Sequence, residues 1–256
     1  MMDNIALLAL ATELAERAGA EIRTIRDRGF QVHRKADRSV VTEADHAAEA
    51  IILAGLRHAL PGCIVIAEEE SAGGKVTEAS KEFWLVDPLD GTREFTGGGD
   101  DFAVNIGLVR NGVPVLGVVG VPATGEIFGG IVGVGAWRQK NGQRTPISVR
   151  VMPPEGLTVV ASRHHGDQAA LEAFLGERPV AKVVNFGSSL KFCRLAEGQA
   201  DLYPRFGRTM EWDTCAPQAV LMAAGGSVDT LQGAPLLYGK PGWDNPHFVC
   251  WGARAK

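Results

Sequence analysis

FWLVDPLDGTREF, residues 83–95, is the stretch that decides the fold, because a buried strand and two acidic side chains meet in it. The apolar run at 84–86 predicts a strand inside the core, and the proline and glycine that follow predict that it ends in a tight turn. Asp87 and Asp90 would then lie at the tip of one rigid strand. Carboxylates this close repel one another unless a cation joins them, and oxygen ligands favour Mg2+ or Mn2+.

Length, composition and charge narrow the class of protein. The chain has 256 residues, 45% of them hydrophobic, which predicts one large globular domain or two small ones. The net charge of −4 argues against broad binding to nucleic acid or to an anionic membrane, although it allows a small anionic ligand. No apolar run approaches the roughly 20 residues of a membrane span, and the acidic N-terminal region does not resemble a signal peptide.

The cysteine pattern predicts a reducing environment. The four cysteines form no CxxC pair and have no histidine at zinc-binding spacing; they are Cys63, Cys193, Cys215 and Cys250. We therefore expect free thiols in a cytoplasmic protein.

The pattern of helices and strands changes near residue 150. Apolar periodicity predicts helices over 4–28 and 42–60 and a strand over 63–67, with a polar loop or broken helix over 71–82. An antiparallel meander follows over 102–110, 113–121, 125–132 and 134–139. Beyond the Pro-rich segment at 150–154, strands and helices alternate. We expect an N-terminal α+β half, 1–150, and a C-terminal α/β half, 151–256, that together form one compact catalytic unit.

Four acidic positions stand where a predicted strand gives way to a turn or helix, the usual place for a site in layered α/β proteins. They are Glu68 or Glu69, Asp87, Asp90 and Asp213. Two close divalent ions need several carboxylates, and such a pair stabilises the attacking and leaving oxygens of a phosphoryl displacement. The carbonyl of Leu89 would add a further oxygen ligand.

Each of these acids also has an ordinary structural interpretation. Asp90 alone would form an Asx-turn, Asp213 alone would be a helix N-cap, and the glutamates alone would be a solvated edge. The DPLDGT pattern after an apolar strand favours the metal interpretation for all of them together.

Asp45 and the glycines around the motif have two interpretations each. Asp45 fits the third helical position of a capping box, and it would alternatively orient a nucleophilic water together with Thr92. The backbone amides of Gly91 and Thr92 would bind a phosphate. The loop at 96–99 would do the same, but a surface turn is the simpler interpretation.

The C-terminal half supplies hydroxyl and basic groups at strand and helix ends. They are found in Ser162-Arg163-His164-His165, in Gly187-Ser188-Ser189-Leu190-Lys191 and at Arg205. Together they would receive a second phosphate or a nucleoside, whereas each alone would be a cap or a surface charge. The chain contains no GxSxG, HExxH or GxxxxGK[ST] motif, so serine-hydrolase, zinc-protease and P-loop chemistry are not indicated.

Two motifs together resemble a known family. WLVDPLDGT at 84–92 and EWDTCAPQAVLMAAGG at 211–226 resemble the inositol monophosphatase superfamily of Mg2+-dependent, lithium-sensitive phosphatases. KADRSVVTEAD, VVASRHH and GSSLKFCRLAEGQADLYPRFG look like its CysQ-type 3'(2'),5'-bisphosphate nucleotidase branch. The resemblance implies a five-layered αβαβα sandwich of the inositol monophosphatase and fructose-1,6-bisphosphatase type.

The resemblance also implies a role for individual residues. The family's metal ligands fall on Glu68, Asp87, Asp90, Asp213 and the Leu89 carbonyl. Its catalytic, water-activating groups fall on Glu68, Asp45 and Thr92. Its substrate contacts fall on Gly91, Thr92, His165, Ser188, Lys191, Arg205 and Asp213. Two departures stand out: three consecutive glutamates at 68–70, where two are usual, and glycines at 97–99 where relatives carry bulkier side chains.

The resulting hypothesis is hydrolysis of 3'-phosphoadenosine 5'-phosphate to AMP and phosphate by direct attack of water, in sulfate assimilation or nucleotide recycling. Two or three Mg2+ ions are implied, with Mn2+ as a substitute. The expected partner is a small phosphorylated nucleotide, and a homodimer and peripheral contact with the inner face of the membrane are compatible with the resemblance. The alternatives are an inositol monophosphatase or sugar-bisphosphate phosphatase on the same scaffold and a non-catalytic metal- or phosphate-binding protein.

Overall fold

The described part of the chain, which in this computed structural model is residues 2–35, 39–162 and 168–253, contains seven α-helices, one short 3-10 helix (Pro241–Trp243) and fourteen strands. The helices are α1 (Asn4–Arg28), α2 (Glu43–Ala59), α3 (Glu68–Ala72), α4 (Thr92–Thr96), α5 (Gln168–Leu175), α6 (Leu190–Ala196) and α7 (Glu211–Ala223). The first nine strands are β1 (Val32–Arg34), β2 (Val40–Thr42), β3 (Val65–Ala67), β4 (Glu82–Asp90), β5 (Ala103–Arg110), β6 (Val113–Val121), β7 (Glu126–Ile131), β8 (Gly135–Lys140) and β9 (Gln143–Ile147). The others are β10 (Leu157–Ser162), β11 (Val180–Phe186), β12 (Leu202–Arg205), β13 (Ser227–Thr230) and β14 (Phe248–Trp251).

The first part of the motif at 83–95 lies in β4, which is inside a seven-stranded sheet of order β3-β4-β5-β6-β7-β8-β9. Strand β3 runs parallel to β4, and all other neighbours are antiparallel. Residues 83–89 are buried because helices cover both faces of β4. The pairing of β4 with β5 shifts register between Asp87 and Asp90. This irregularity bends the strand end where the two acids stand, as bulges beside functional sites commonly do.

A second sheet holds the C-terminal strands in the order β11-β10-β12-β14-β13. Strands β10, β11 and β12 are parallel, and β14 runs antiparallel to both β12 and β13. The remaining pair, β1 and β2, is an antiparallel hairpin in which Val32 lies opposite Thr42.

The helices complete five layers. Helices α1 and α2 pack on one face of the seven-stranded sheet, and α7, with α6 beside it, lies on the other face and contacts the five-stranded sheet. Helix α5 covers the outer side of the five-stranded sheet with Leu171 and Leu175. The predicted αβαβα sandwich is therefore confirmed. No helix within the described ranges is long and apolar enough to cross a membrane.

A groove made of glycine lets α7 approach the sheet closely. Gly107, Gly117 and Gly130 lie opposite one another on β5, β6 and β7. A Cβ atom on Gly117 would lie 2.2 Å from the carbonyl oxygen of Ala216 in α7, and one on Gly130 would lie 2.7 Å from Cβ of Ala223. The helix backbone thus occupies the space that side chains would fill. Asp213 lies in the first turn of α7, and this packing brings it into the same cavity as Asp87 and Asp90 of β4.

The structure corrects several element predictions. Helix α7 begins at Glu211, so Asp213 lies in its first turn and is not its N-cap. Strands β9 and β14 were not predicted; β9 is exposed along nearly its whole length, so it lacks the apolar alternation that identifies a strand. Helix α3 follows β3 immediately, where a polar segment was expected to begin a few residues later. The division into two halves at residue 150 stays a prediction.

Closing the glycine groove should destabilise the protein. We expect Gly117→Ala to lower the free energy of unfolding by about 1–3 kcal/mol, because the new methyl group overpacks against α7. Denaturant unfolding measures the change. Gly120→Ala is the matched control on the same strand, since its added Cβ would meet its nearest neighbour at 3.6 Å, an ordinary contact. Equal stability of the two variants would contradict this account of α7 packing.

Candidate active site

A cavity of about 300 Å³ opens where the tip of β4, the start of α7 and the C-terminal half meet. Most of the predicted site residues line it: Glu68, Asp87, Leu89, Asp90, Gly91, Thr92, Ser188, Lys191, Arg205 and Asp213. Asp45 lies behind this lining and contacts it through Thr92. His165 falls outside the described residues, as does His164. The predicted residues are thus brought together, while their individual roles stay predictions.

The turn after β4 is built by its own side chains and by one glycine. The backbone N–H of Leu89 donates to Oδ1 of Asp87 at 3.0 Å, and Oγ1 of Thr92 lies within hydrogen-bond distance of the Leu89 carbonyl oxygen, at 3.1 Å. Gly91 has φ of 93°, and a Cβ atom there would lie 2.9 Å from the Asp101 carbonyl oxygen. Only glycine fits this left-handed, crowded position. The turn therefore holds Asp87, the Leu89 carbonyl and Asp90 in one fixed arrangement.

Asp90 joins the tip of β4 to the loop before α6. Its Oδ2 accepts a hydrogen bond from Oγ of Ser188 at 2.7 Å and another from the backbone N–H of Ser189 at 2.6 Å. Ser188 has φ of 54°, a left-handed conformation that a serine adopts only when its surroundings hold it there. The Asx-turn that Asp90 alone would form is not observed, because its carboxylate is used by the loop before α6.

The acids around the cavity repel one another. Desolvation, followed by the charges of Glu68, Asp90 and Asp213, raises the pKa of Asp87 well above its usual range. Desolvation, together with the charges of Asp90 and Glu68, does the same to the pKa of Asp213. The backbone N–H of Met210 donates to Oδ2 of Asp213 at 2.8 Å and compensates only part of that charge. This part of the cavity therefore favours an additional cation.

Glu68 has a protein cation beside it that sequence reasoning missed. Nζ of Lys35 lies 2.8 Å from Oε1 of Glu68 and 2.7 Å from Oε1 of Glu69. Burial opposes the charge on Lys35, but the two glutamates together raise its pKa above the usual value. Desolvation still raises the pKa of Glu68. Glu68 lines the cavity, whereas Glu69 is buried and does not.

Asp45 forms the predicted capping box and also contacts Thr92. Its Oδ2 accepts from the backbone N–H and from Oγ1 of Thr42, each at 2.7 Å, which is the capping box of α2. Its Oδ1 accepts from Oγ1 of Thr92 at 3.1 Å. Desolvation raises the pKa of Asp45, although the bonds from Thr42 oppose the change. The structural interpretation and the catalytic one are thus compatible, because they use different oxygens.

Cationic side chains also line the cavity. The buried Nζ of Lys191 donates to the Ser188 carbonyl at 2.6 Å and lies 5.4 Å from the centre of the Tyr203 ring. Burial lowers the pKa of Lys191 to about 8. Nε of Arg205 is buried and has no hydrogen-bond partner among the described residues. Arg208 also lines the cavity and pairs with Asp244 at 2.7 Å. Sequence reasoning assigned no role to Tyr203 or Arg208, whose only signal was their position close to Arg205.

The glycine loop after α4 does not take part in the cavity. The carbonyl oxygens of Gly98 and Gly99 accept from Nη2 of Arg26 at 3.1 and 3.0 Å. The backbone N–H groups of Gly97 and Gly99 donate to carbonyls of α4. These amides are therefore already bonded, which favours the surface-turn interpretation over phosphate binding.

The donor set fits a hard divalent cation. It consists of carboxylate and carbonyl oxygens, and the raised pKa values of Asp87 and Asp213 show that their negative charge is poorly compensated. Within the described ranges, no three His, Cys, Asp or Glu side chains are gathered tightly enough to hold one ion. The acids thus share a cavity and an electric field, without forming a closed coordination sphere.

Removing one repelled charge should stabilise the metal-free protein. We expect Asp87→Asn to raise Tm by a few degrees in EDTA near pH 7.5, because a carboxyl group whose pKa is raised by folding destabilises the fold once it ionises. Added Mg2+ should raise the Tm of the wild type more than that of the variant. Thermal unfolding with and without Mg2+ measures both effects. Asp100→Asn, on an exposed ion pair with Arg26, is the control. A lower Tm of Asp87→Asn in EDTA would contradict the assignment of repulsion.

Comparison with known proteins places this geometry in a family. A sequence model described as the inositol monophosphatase family matches residues 3–248. The 3'(2'),5'-bisphosphate nucleotidase CysQ of Escherichia coli strain K12 is 44% identical over 234 residues, which are 91% of this chain and 94% of that protein. The nucleotidase CysQ of Aggregatibacter actinomycetemcomitans is 33% identical over 247 residues, covering 95% of this chain and 91% of that protein.

Solved structures agree with the sequence comparison. The crystal structure of CysQ from Bacteroides thetaiotaomicron superposes with a TM-score of 0.83 at 32% identity, covering 98% of both chains. The inositol monophosphatase from Anabaena superposes with a TM-score of 0.76 at 29% identity, covering 96% of this chain and 90% of that one. The chain belongs to the inositol monophosphatase family.

Proposed function

We propose that this chain is a Mg2+-dependent 3'(2'),5'-bisphosphate nucleotidase that hydrolyses 3'-phosphoadenosine 5'-phosphate to AMP and phosphate. The observation that carries the proposal is a single cavity with an acidic wall at the tip of β4 and a cationic wall around Lys191 and Arg205. The relatives named CysQ support the same substrate class.

The acidic wall would hold the metal. Glu68, Asp87, Asp90, Asp213 and the Leu89 carbonyl would provide oxygen ligands for two or three Mg2+ ions, with Mn2+ as a substitute. Bound divalent cations supply positive charge for the phosphoryl oxygens and lower the pKa of water. Metal dependence is general in the family, and the mutual repulsion of the acids is the feature of this chain that supports it.

Thr92 and Asp45 would orient the attacking water. Oγ1 of Thr92 has one proton, and both of its neighbouring acceptors, Oδ1 of Asp45 and the Leu89 carbonyl, lie at 3.1 Å. With its proton directed to one of them, the hydroxyl has a lone pair left to accept a proton from water. Asp45 is itself fixed by the two bonds from Thr42, so one of the two acceptors of the Thr92 hydroxyl is held in place before substrate arrives.

The two walls would separate the two ends of the substrate. The phosphate to be cleaved would lie at the acidic wall beside Gly91 and Thr92. The remaining phosphate and the nucleoside would lie against Lys191, Arg205 and the loop at Ser188. A cationic wall suits a second anionic group and has no partner in the neutral hydroxyls of inositol. A contact from His165 stays a prediction of the sequence, as do the homodimer and the contact with a membrane surface.

A panel of substrates tests the proposal. We expect Mg2+-dependent phosphate release from 3'-phosphoadenosine 5'-phosphate, much less from inositol 1-phosphate and fructose 1,6-bisphosphate, and none in EDTA. A strong preference for inositol 1-phosphate or for fructose 1,6-bisphosphate would overturn the proposed substrate assignment. Phosphate release from none of the three would favour a binding protein without catalysis.

Arg205 gives the sharper test. We expect Arg205→Met to raise KM for the nucleotide by about 10- to 100-fold, since a hydrogen bond to a charged group is worth about 1.5–3 kcal/mol. The slow turnover of inositol 1-phosphate should change little, because that substrate has no second phosphate. An equal loss of activity on both substrates would indicate that Arg205 stabilises the fold rather than selects the substrate.

A further inference from the structure

Helix α2 carries a second buried carboxylate one turn after Asp45. Oε2 of Glu49 accepts the backbone N–H of Glu69 at 2.8 Å, and its Oε1 accepts the backbone N–H of Glu70 at 2.8 Å. The residue is only 5% exposed. One side chain on α2 thus binds two consecutive peptide groups of α3.

Helix α3 depends on these two bonds for its start. Its first N–H groups have no partner within the helix, as at every helix N-terminus. The residue before the helix is Ala67, whose side chain has no acceptor, so the N-cap residue itself cannot cap the helix. Glu49 supplies from another helix the acceptors that a serine or aspartate usually supplies locally.

The same bonds determine where Glu68 lies. Glu68 is the first residue of α3 and precedes the two residues whose N–H groups Glu49 holds. Asp45, four residues earlier on α2, holds Thr92. Asp45 and Glu49 lie about 6 Å apart along the axis of α2. Helix α2 therefore sets the distance between the turn after β4 and the segment that carries Glu68.

We propose that Glu49 is a positioning residue that orients Glu68 toward the divalent cation. The proposal rests on the proposed function in one respect, namely that Glu68 is a metal ligand. Residues that hold metal ligands in place commonly change metal affinity by about 10- to 100-fold when they are replaced. If Glu49 were only a structural cap, replacing it would lower the stability of the fold and leave the affinity for metal unchanged.

Glu49→Gln is the most direct variant. The amide keeps the size of the side chain, but it has one acceptor oxygen where two are needed, and its NH2 group would face a backbone N–H. Glu49→Asp is the second variant, since it keeps the charge and is too short by one methylene to reach both N–H groups.

Two controls separate positioning from other effects. Asp201→Asn perturbs a similar clamp far from the cavity, where Oδ2 of Asp201 accepts the N–H of Thr158 at 2.7 Å. It reports the effect of lost stability alone. Glu70→Gln removes a negative charge from α3 itself, from a carboxylate that pairs with Arg57 and Lys75 on the surface. It reports the effect of charge alone.

The decisive measurement is Mn2+ binding, by electron paramagnetic resonance or calorimetry, on protein that unfolding curves show to be folded. We expect Glu49→Gln to weaken Mn2+ binding by about 10- to 100-fold. The Mg2+ concentration for half-maximal phosphate release should rise by the same factor, with much of the rate restored at saturating Mg2+. Asp201→Asn and Glu70→Gln should change Mn2+ binding by less than about 3-fold, because neither side chain bonds to the backbone that carries Glu68.

The contrary outcomes are distinct. Unchanged Mn2+ binding in Glu49→Gln, or a loss no larger than that of the controls, would overturn the proposal. If Glu49→Gln does not fold, Glu49→Asp decides by the same criterion. Hydrogen exchange at the amides of Glu69 and Glu70 should accelerate in either variant, and unchanged exchange would overturn the clamp itself. Absence of both Mn2+ binding and Mg2+-dependent turnover in the wild type would instead refute the proposed function.

Discussion

The repulsion among four carboxylates in one cavity is the constraint on which the rest of the structure depends. Glu68, Asp87, Asp90 and Asp213 come from three separate elements, and the fold holds them together although desolvation and their charges oppose it. Such an arrangement costs stability unless a cation is bound. The acidic side of the cavity therefore favours binding of a cation.

Much of the surrounding architecture serves to hold these acids in place. The glycine groove at Gly107, Gly117 and Gly130 lets α7 lie close to the sheet and deliver Asp213. The bonds from Ser188 and Ser189 to Asp90 connect the start of α6, the helix that carries Lys191, to the tip of β4. The acidic and the cationic side chains of the cavity are thus fixed relative to each other by a few short hydrogen bonds.

The sequence could predict what depends on neighbouring residues. The strand and turn at 83–95, the helices over 4–28 and 42–60, the capping box at Thr42 and the meander are local patterns, and the structure shows all of them. The convergence of the four acids followed from strand ends and from the resemblance of two motifs to a family.

Long-range partners could not be predicted in this way. Lys35 pairs with Glu68 across 33 residues, and Ser188 binds Asp90 across 98, so no spacing rule links them. Glu49 resembled one more polar residue on an amphipathic helix until its two backbone partners were visible. Strand β9 has the polarity of a loop, and only its pairing with β8 identifies it.

The most direct test of the account is a crystal structure grown with Mn2+, AMP and phosphate, with anomalous scattering used to locate the metal. The account predicts anomalous peaks within ligand distance of Asp87, Asp90, Asp213 and Glu68, with the phosphate beside Gly91 and Thr92 and the nucleotide against Lys191 and Arg205. Metal peaks away from these four carboxylates, or a nucleotide bound outside the cavity, would contradict it.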